Sequence, residues 1–170
     1  MKKYERMQEL SKLLKEFENL PRFPDGRIDY SNSNKALVLT CFVKFKDKIL
    51  ILKRSNAVST YKGKWCTVAG YIDEEKPVSE KAFEELREEL GIMKKDVAQL
   101  KTGMPYEFFD PEAKKTWIVF PVLAELKKMK KMPDLKLDWE HSAYKWIKPE
   151  ELSSYDVVPN LDESLRRVMW

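Results

Sequence analysis

Glu85, Glu88 and Glu89 lie within one short charged run, Glu84-Glu85-Leu86-Arg87-Glu88-Glu89. On a helix, residues three and four apart share a face, so these three carboxylates can converge on one point. Clustered carboxylates repel one another unless a cation sits among them. An all-oxygen set of this kind suits Mg²⁺ or Mn²⁺, and Mg²⁺ is usually held by a few carboxylates together with waters and substrate phosphates. The chemistry indicated is that of a divalent metal acting on phosphate. A charge run can also be no more than a solvated helix face, so the surrounding elements have to decide.

Those elements are legible along the chain. Tyr4, Met7, Leu10, Leu14 and Phe17 recur at helical spacing, with Pro21 and Pro24 as the stop. This predicts an amphipathic N-terminal helix, whose task is either to cover an open edge of the domain or to form a dimer contact. Ala36 to Phe45, Lys46-Asp47 and Ile49 to Leu52 read as a β-hairpin. A third strand is expected over Trp65 to Ala69, followed by a loop and the acidic helix. Further strands are expected over Val97 to Thr102, Tyr106 to Phe109, Thr116 to Leu126 and Ala143 to Ile147, and a closing helix over Leu161 to Met169. On the acidic helix, Val78, Ala82, Phe83, Leu86 and Leu90 form the apolar stripe, with Glu85 and Glu89 along one edge and Glu88 farther round. This order of elements argues for an α+β fold with a mixed sheet.

With that frame, the stretch from Gly70 to Ile92 resembles the box of the Nudix hydrolase family: Gly, five residues, Glu, seven residues, Arg-Glu-U-x-Glu-Glu-x-Gly-U, where U is aliphatic. Gly70, Glu85, Leu86, Glu88, Glu89, Gly91 and Ile92 stand on their places without a gap. Two positions depart from the pattern: Lys76 stands where the family has its first Glu, and Glu84 where it has Arg. The resemblance covers about residues 36 to 168. It implies an α/β/α sandwich with a mixed sheet over residues 36–170, with residues 1–35 as a helical extension. It implies further that Glu85, Glu88 and Glu89, with the backbone carbonyl of Ala69, hold the metal, and that the reaction is hydrolysis of a phosphoanhydride bond in a nucleoside diphosphate linked to another moiety. Lys76 and Glu84 reverse both family charges. Facing each other they keep an ion pair; serving the metal separately they leave it short of one ligand, and the domain then only binds a nucleotide or partner as a sensor. Isopentenyl diphosphate isomerase resembles the same fold, but it looks for a Cys where this chain has Ala69 and for several histidines, and it is set aside.

Supporting groups follow from the same comparison. Arg54, at the end of a strand, resembles a residue set against substrate phosphate. Trp65 matches an aromatic that commonly precedes the box and is a candidate substrate contact or a core residue. Glu140, ahead of an aromatic-bearing strand, is the candidate general base. His141 is the only histidine and is expected to be structural. Gly70 is expected to let the loop bend tightly, and Gly91 to end the helix with positive φ.

Composition agrees with a single enzyme-sized domain: 170 residues with 43% hydrophobic content bury a real core. The net charge is +4, yet Asp73 to Glu89 carries eight acids and three bases, net −5, which leaves +9 elsewhere. An acidic pocket in a basic surround suits a cation inside and a polyanionic substrate arriving from outside. Lys127, Lys128, Lys130 and Lys131 lack interleaved aromatics, so a nucleic-acid partner is not expected. Cys41 and Cys66 make neither a disulfide framework nor a zinc-spaced pair, and no run is apolar enough to span a bilayer. The reading is a cytoplasmic protein acting on a small nucleotide-like diphosphate.

Overall fold

The structure, a computed structural model, describes residues 2–169. Helix α1 (Lys2–Lys15) leads into β1 (Lys35–Phe45), β2 (Lys48–Arg54), β3 (Trp65–Cys66) and β4 (Val68–Tyr71). Helix α2 (Val78–Leu90) follows, then β5 (Val97–Thr102), β6 (Tyr106–Asp110), β7 (Lys115–Leu126), β8 (His141–Ile147) and α3 (Leu161–Met169). The spine is a parallel ladder of β1 against β7, from Lys35↔Thr116 to Lys44↔Glu125. The other pairings between these strands are antiparallel, so the sheet is mixed as expected.

Each spine strand shares its outer edge between two partners. β1 meets β4 over Val38 to Cys41 and β2 only at Lys44 and Phe45. β7 meets β6 over Lys115 to Val119 and β5 over Val122 to Leu126. The expected strand from Trp65 to Ala69 is therefore two strands. β3 pairs with β2, and at Thr67 the chain changes partner so that β4 pairs with β1.

Strand side chains alternate between faces, and two separate cores result. Cys41, Val43, Leu50, Leu52, Val122 and Ala124 pack with Ala82, Leu86 and Leu90 of α2. Their neighbours Phe42, Ile49, Ile51 and Leu123 pack with Leu161, Leu165 and Val168 of α3. Helices thus cover both faces, which makes the α/β/α sandwich. Leu10 and Phe17 of the N-terminal segment are buried in the α2-side core, so this segment completes that core. Among the described residues no helix is long and apolar enough to cross a membrane.

Helix α2 ends as its sequence predicts: Gly91 takes φ 70, and its N–H donates to the Arg87 carbonyl at 3.0 Å. Gly70 is used differently from expectation. It sits inside β4, paired with Leu39, so no tight bend is involved. A Cβ there would lie 2.3 Å from the Glu85 carboxyl carbon. The missing side chain makes room for a carboxylate.

Candidate metal and phosphate site

A cavity of about 450 Å³ opens on the α3 side of the spine. Its floor is Val38 and Thr40 of β1 with Ala69, Gly70 and Tyr71 of β4, and one wall is Tyr106, Phe108, Trp117 and Val119 of β6 and β7. Asn160 and Ser164 close it at the start of α3, and Arg54, Lys81, Glu85 and Glu140 bring charge to the other end. Glu85 enters beside Gly70. An aromatic wall facing a charged end is a reasonable shape for a ligand with a flat apolar part and an anionic part.

The carboxylates do not sit as one equal trio. Glu89 is buried, 3% exposed, and its Oε2 has no hydrogen-bond partner among the described residues. It meets Glu140 and His141, and one donor atom from each of the three lies within 4.8 Å of the others. Glu88 is on the exposed side of α2, and neither it nor Glu85 joins that group. All four acids nonetheless share one electrostatic neighbourhood. Burial pushes Glu85 up to about 7, with Lys81 opposing and Glu88, Glu140 and Asp73 adding to the rise. Burial, then Glu140, Glu85 and Asp138, push Glu89 up to about 10. Glu140 is raised by burial and by Asp138, with Arg54 opposing. A buried acid with an unpartnered oxygen, set among acids that burial also raises, has an oxygen free to accept a proton or bind a cation. Glu88 lies farther round the helix and is exposed, whereas Glu89, expected at the edge of the apolar stripe, is fully packed. Its helix face turns inward toward Ala69 of β4 and toward Glu140 and His141 at the start of β8.

Lys76 and Glu84 face each other, Nζ to Oε1 at 2.6 Å, and Lys76 also reaches Glu74 at 2.9 Å. Burial alone would raise Glu84, but the hydrogen bond and charge of Lys76, and then Lys81, hold it below the usual carboxylate range. The same two acids raise Lys76. The two departures from the box pattern are therefore a single exchanged pair. Reversing Lys76→Glu or Glu84→Arg alone should destabilise the fold, and the double reversal should recover part of the loss. The coupling expected in a double-mutant cycle by urea unfolding is on the order of 1 kcal/mol; simple additivity would show the pair to be unimportant. Recovery is partial because Glu74 and Lys81 remain as like-charged neighbours.

Sequence reasoning passed over Lys81. Its side chain is 7% exposed, and its Nζ stands 3.4 Å from Asp73, 3.7 Å from Glu84 and 3.7 Å from Glu85. A buried lysine needs such partners, and here it lends positive charge to Glu85 from one turn back along α2. The signal was available: Lys81 and Glu85 are four apart, beside the apolar residues Val78 and Ala82.

Arg54 lines the cavity, with Nε donating to the Thr60 carbonyl at 3.0 Å. Trp65 does not line it. Its ring packs edge-on against Tyr155, 5.6 Å between centroids, beneath the Lys145 ammonium. β3 directs this side chain to the α3-side core, where it is packing. Ala69 is in the cavity floor beside Gly70. Asp110, also buried, is saturated: it accepts from Tyr61 Oη, from Trp117 Nε1 at 3.2 Å and from the Glu112 and Ala113 amides. It braces the aromatic wall and has no oxygen to spare.

The comparisons with known proteins agree with this architecture. The NUDIX domain model matches residues 34–168. The nucleoside triphosphatase NudI of Escherichia coli O81 (strain ED1a) is 25% identical over 123 residues, 69% of this chain and 84% of that protein. The MutT protein from Methanosarcina mazei Go1 has a similar structure, with TM-score 0.63 and 20% identity over 80% of this chain and 94% of that one. So does the NUDIX domain of Shewanella oneidensis NrtR, solved in complex with ADP ribose, with TM-score 0.61 and 15% identity over 78% and 86%. A matched box, the spine with its two helices and a family model spanning most of the chain lead to one conclusion: the chain belongs to the NUDIX family, as a hydrolase of the pyrophosphohydrolase kind.

Proposed function

We propose that the protein hydrolyses a phosphoanhydride bond in a nucleoside diphosphate linked to another moiety, such as a nucleotide sugar, ADP-ribose or an NTP, with Mg²⁺ or Mn²⁺. The observation that carries this is the buried, unpartnered Oε2 of Glu89, gathered with Glu140 and His141 beside a cavity lined at its far end by aromatic rings. The residues fit a divalent cation, since Gly70 leaves space for the Glu85 carboxylate and Glu89 has an oxygen to offer. Glu85, Glu88, Glu89 and the Ala69 carbonyl are the proposed ligands. Bound there, the cation supplies Lewis acidity toward the diphosphate and lowers the pKa of water. Arg54 neutralises phosphate charge at the mouth, and Glu140, raised by its burial, takes the proton of the attacking water. Tyr106, Phe108 and Trp117 stack the flat part of the substrate. The exchange of Lys76 and Glu84 supports the enzyme over a binding-only domain, because the two groups satisfy each other and take no ligand from the site.

A hydrolysis screen over nucleotide sugars, ADP-ribose, dinucleotides and NTPs, each with Mg²⁺ and with Mn²⁺, tests the proposal, run beside thermal melts. At least one class should be cleaved in a cation-dependent way, and the cation should raise the melting temperature by binding the folded state. The Glu88→Gln, Glu89→Gln double variant should lose both effects. Nucleotide-dependent stabilisation with no turnover anywhere in the panel would leave only the binding domain.

A further inference from the structure

We infer that His141 adds a nitrogen donor to this metal site, so that the chain is built to hold a transition-metal divalent cation such as Mn²⁺, Co²⁺ or Zn²⁺ through Glu89, Glu140 and His141 Nε2. The inference rests on the proposed carboxylate site and goes beyond its oxygen-only character. A donor atom from each of the three residues lies within 4.8 Å of the others, and Glu89 carries a buried oxygen, Oε2, without a partner among the described residues. Glu140 has two oxygens, so it can hold the cation with one and accept a proton with the other.

The histidine is mounted as metal-binding histidines usually are. Its Nδ1 lies 3.2 Å from Asp138 Oδ1, and a ring that donates Nδ1–H to a carboxylate turns the bare lone pair of Nε2 outward. Among the described residues Nε2 has one hydrogen-bond partner, the weak Cys66 Sγ at 3.7 Å. The side chain is 2% exposed, so the ring is fixed in orientation. The turn that carries it is fixed as well: Asp138 Oδ1 also accepts the Glu140 amide at 3.2 Å, and the Ser55 amide donates to the Glu140 carbonyl at 2.8 Å. A register shift between Lys53 and Arg54 sets Arg54 opposite His141, and such irregularities re-aim side chains next to functional sites. Imidazole is a poor ligand for Mg²⁺ and a good one for the later first-row metals.

Because the chain has one histidine, ¹⁵N-histidine labelling of the full protein gives a single ring to follow. Zn²⁺ should move the Nε2 resonance to that of a metal-bound imidazole and leave Nδ1 protonated, while Mg²⁺ should not move it. In calorimetric titrations Asp138→Asn should weaken Zn²⁺ binding by about tenfold, with Mg²⁺ affinity held. His141→Gln should lose more, and the wild-type spectra stand even where that variant fails to fold. Zn²⁺ that raises the melting temperature but leaves both ring nitrogens unmoved overturns the inference and spares the carboxylate site. An absence of any stabilisation by Zn²⁺, Mn²⁺ or Mg²⁺ overturns the carboxylate site itself.

Discussion

Glu89→Gln should lower turnover by about a hundredfold or more, the order expected when a ligand that acts mainly in the transition state is removed, while leaving the fold at neutral pH nearly as stable as before. The two halves of this result have one cause. Glu89 is pushed up to about 10, so at neutral pH it already carries a proton, and glutamine resembles that neutral acid in shape. A variant that kept near-normal activity, or one that unfolded at pH 7, would contradict the assigned role. Glu88→Gln should match the loss of turnover, and its exposed position should leave stability unchanged.

The same protonation sets a pH dependence. A carboxyl raised in the folded state binds a proton there that it has released in the unfolded chain. The stability it contributes is fully present below its ordinary value of 4.5 and lost as pH rises through the folded value, about 7 for Glu85 and about 10 for Glu89. Metal-free protein should therefore become less stable as pH rises across the neutral range. Cation binding must displace these protons, so metal affinity should strengthen over the same window. Melting curves with and without Mn²⁺, taken from about pH 5 to about pH 9, should diverge toward the alkaline end. In Glu89→Gln the alkaline loss of metal-free stability should be smaller.

Gly70→Ala should abolish most activity and spare the fold. Gly70 has ordinary strand geometry, so alanine costs nothing in backbone conformation, but its methyl would stand 2.3 Å from both the carboxyl carbon and Oε1 of Glu85. The far end of a glutamate can swing aside cheaply, whereas a ligand displaced by an ångström costs about a hundredfold in rate. Unchanged melting of the metal-free protein with turnover lowered to that extent is the expected pair of observations. Normal turnover would show that Glu85 has no duty at the position it occupies.

Spacing along the chain was enough for what is local. The box helix, its glycine stop at Gly91 and the span of α3 could be read from periodicity and capping, since these depend on neighbours a turn away. The mixed sheet followed from the order of strands and helices, and the helices on both its faces from the family resemblance. The division of Trp65 to Tyr71 into two strands was not legible, because the break at Thr67 is a change of partner from β2 to β1, and partners are not written in the segment itself. The surroundings of His141 were not legible for a related reason: Cys66 reaches it only through the pairing of β2 with β8 and β3, and Glu89 only from α2. Trp65 stood between a substrate contact and a core residue, and strand direction, which its position ahead of the box does not specify, sets its ring against the α3-side core and Tyr155. Lys76 and Glu84 were read as a charge exchange and stand as one.

The parallel spine bears on how the molecule comes to exist at all. β1 and β7 must find each other across about eighty residues of intervening chain, and closing so large a loop costs entropy before any of its contacts repays it. β4, which carries Gly70, hangs on β1, and the aromatic wall hangs on β7. Floor and wall of the cavity are thus apart until that one ladder zips. The acids of α2 are solvated in the unfolded chain, and their low-dielectric surroundings exist only where β4, β1 and β7 are brought together beneath that helix.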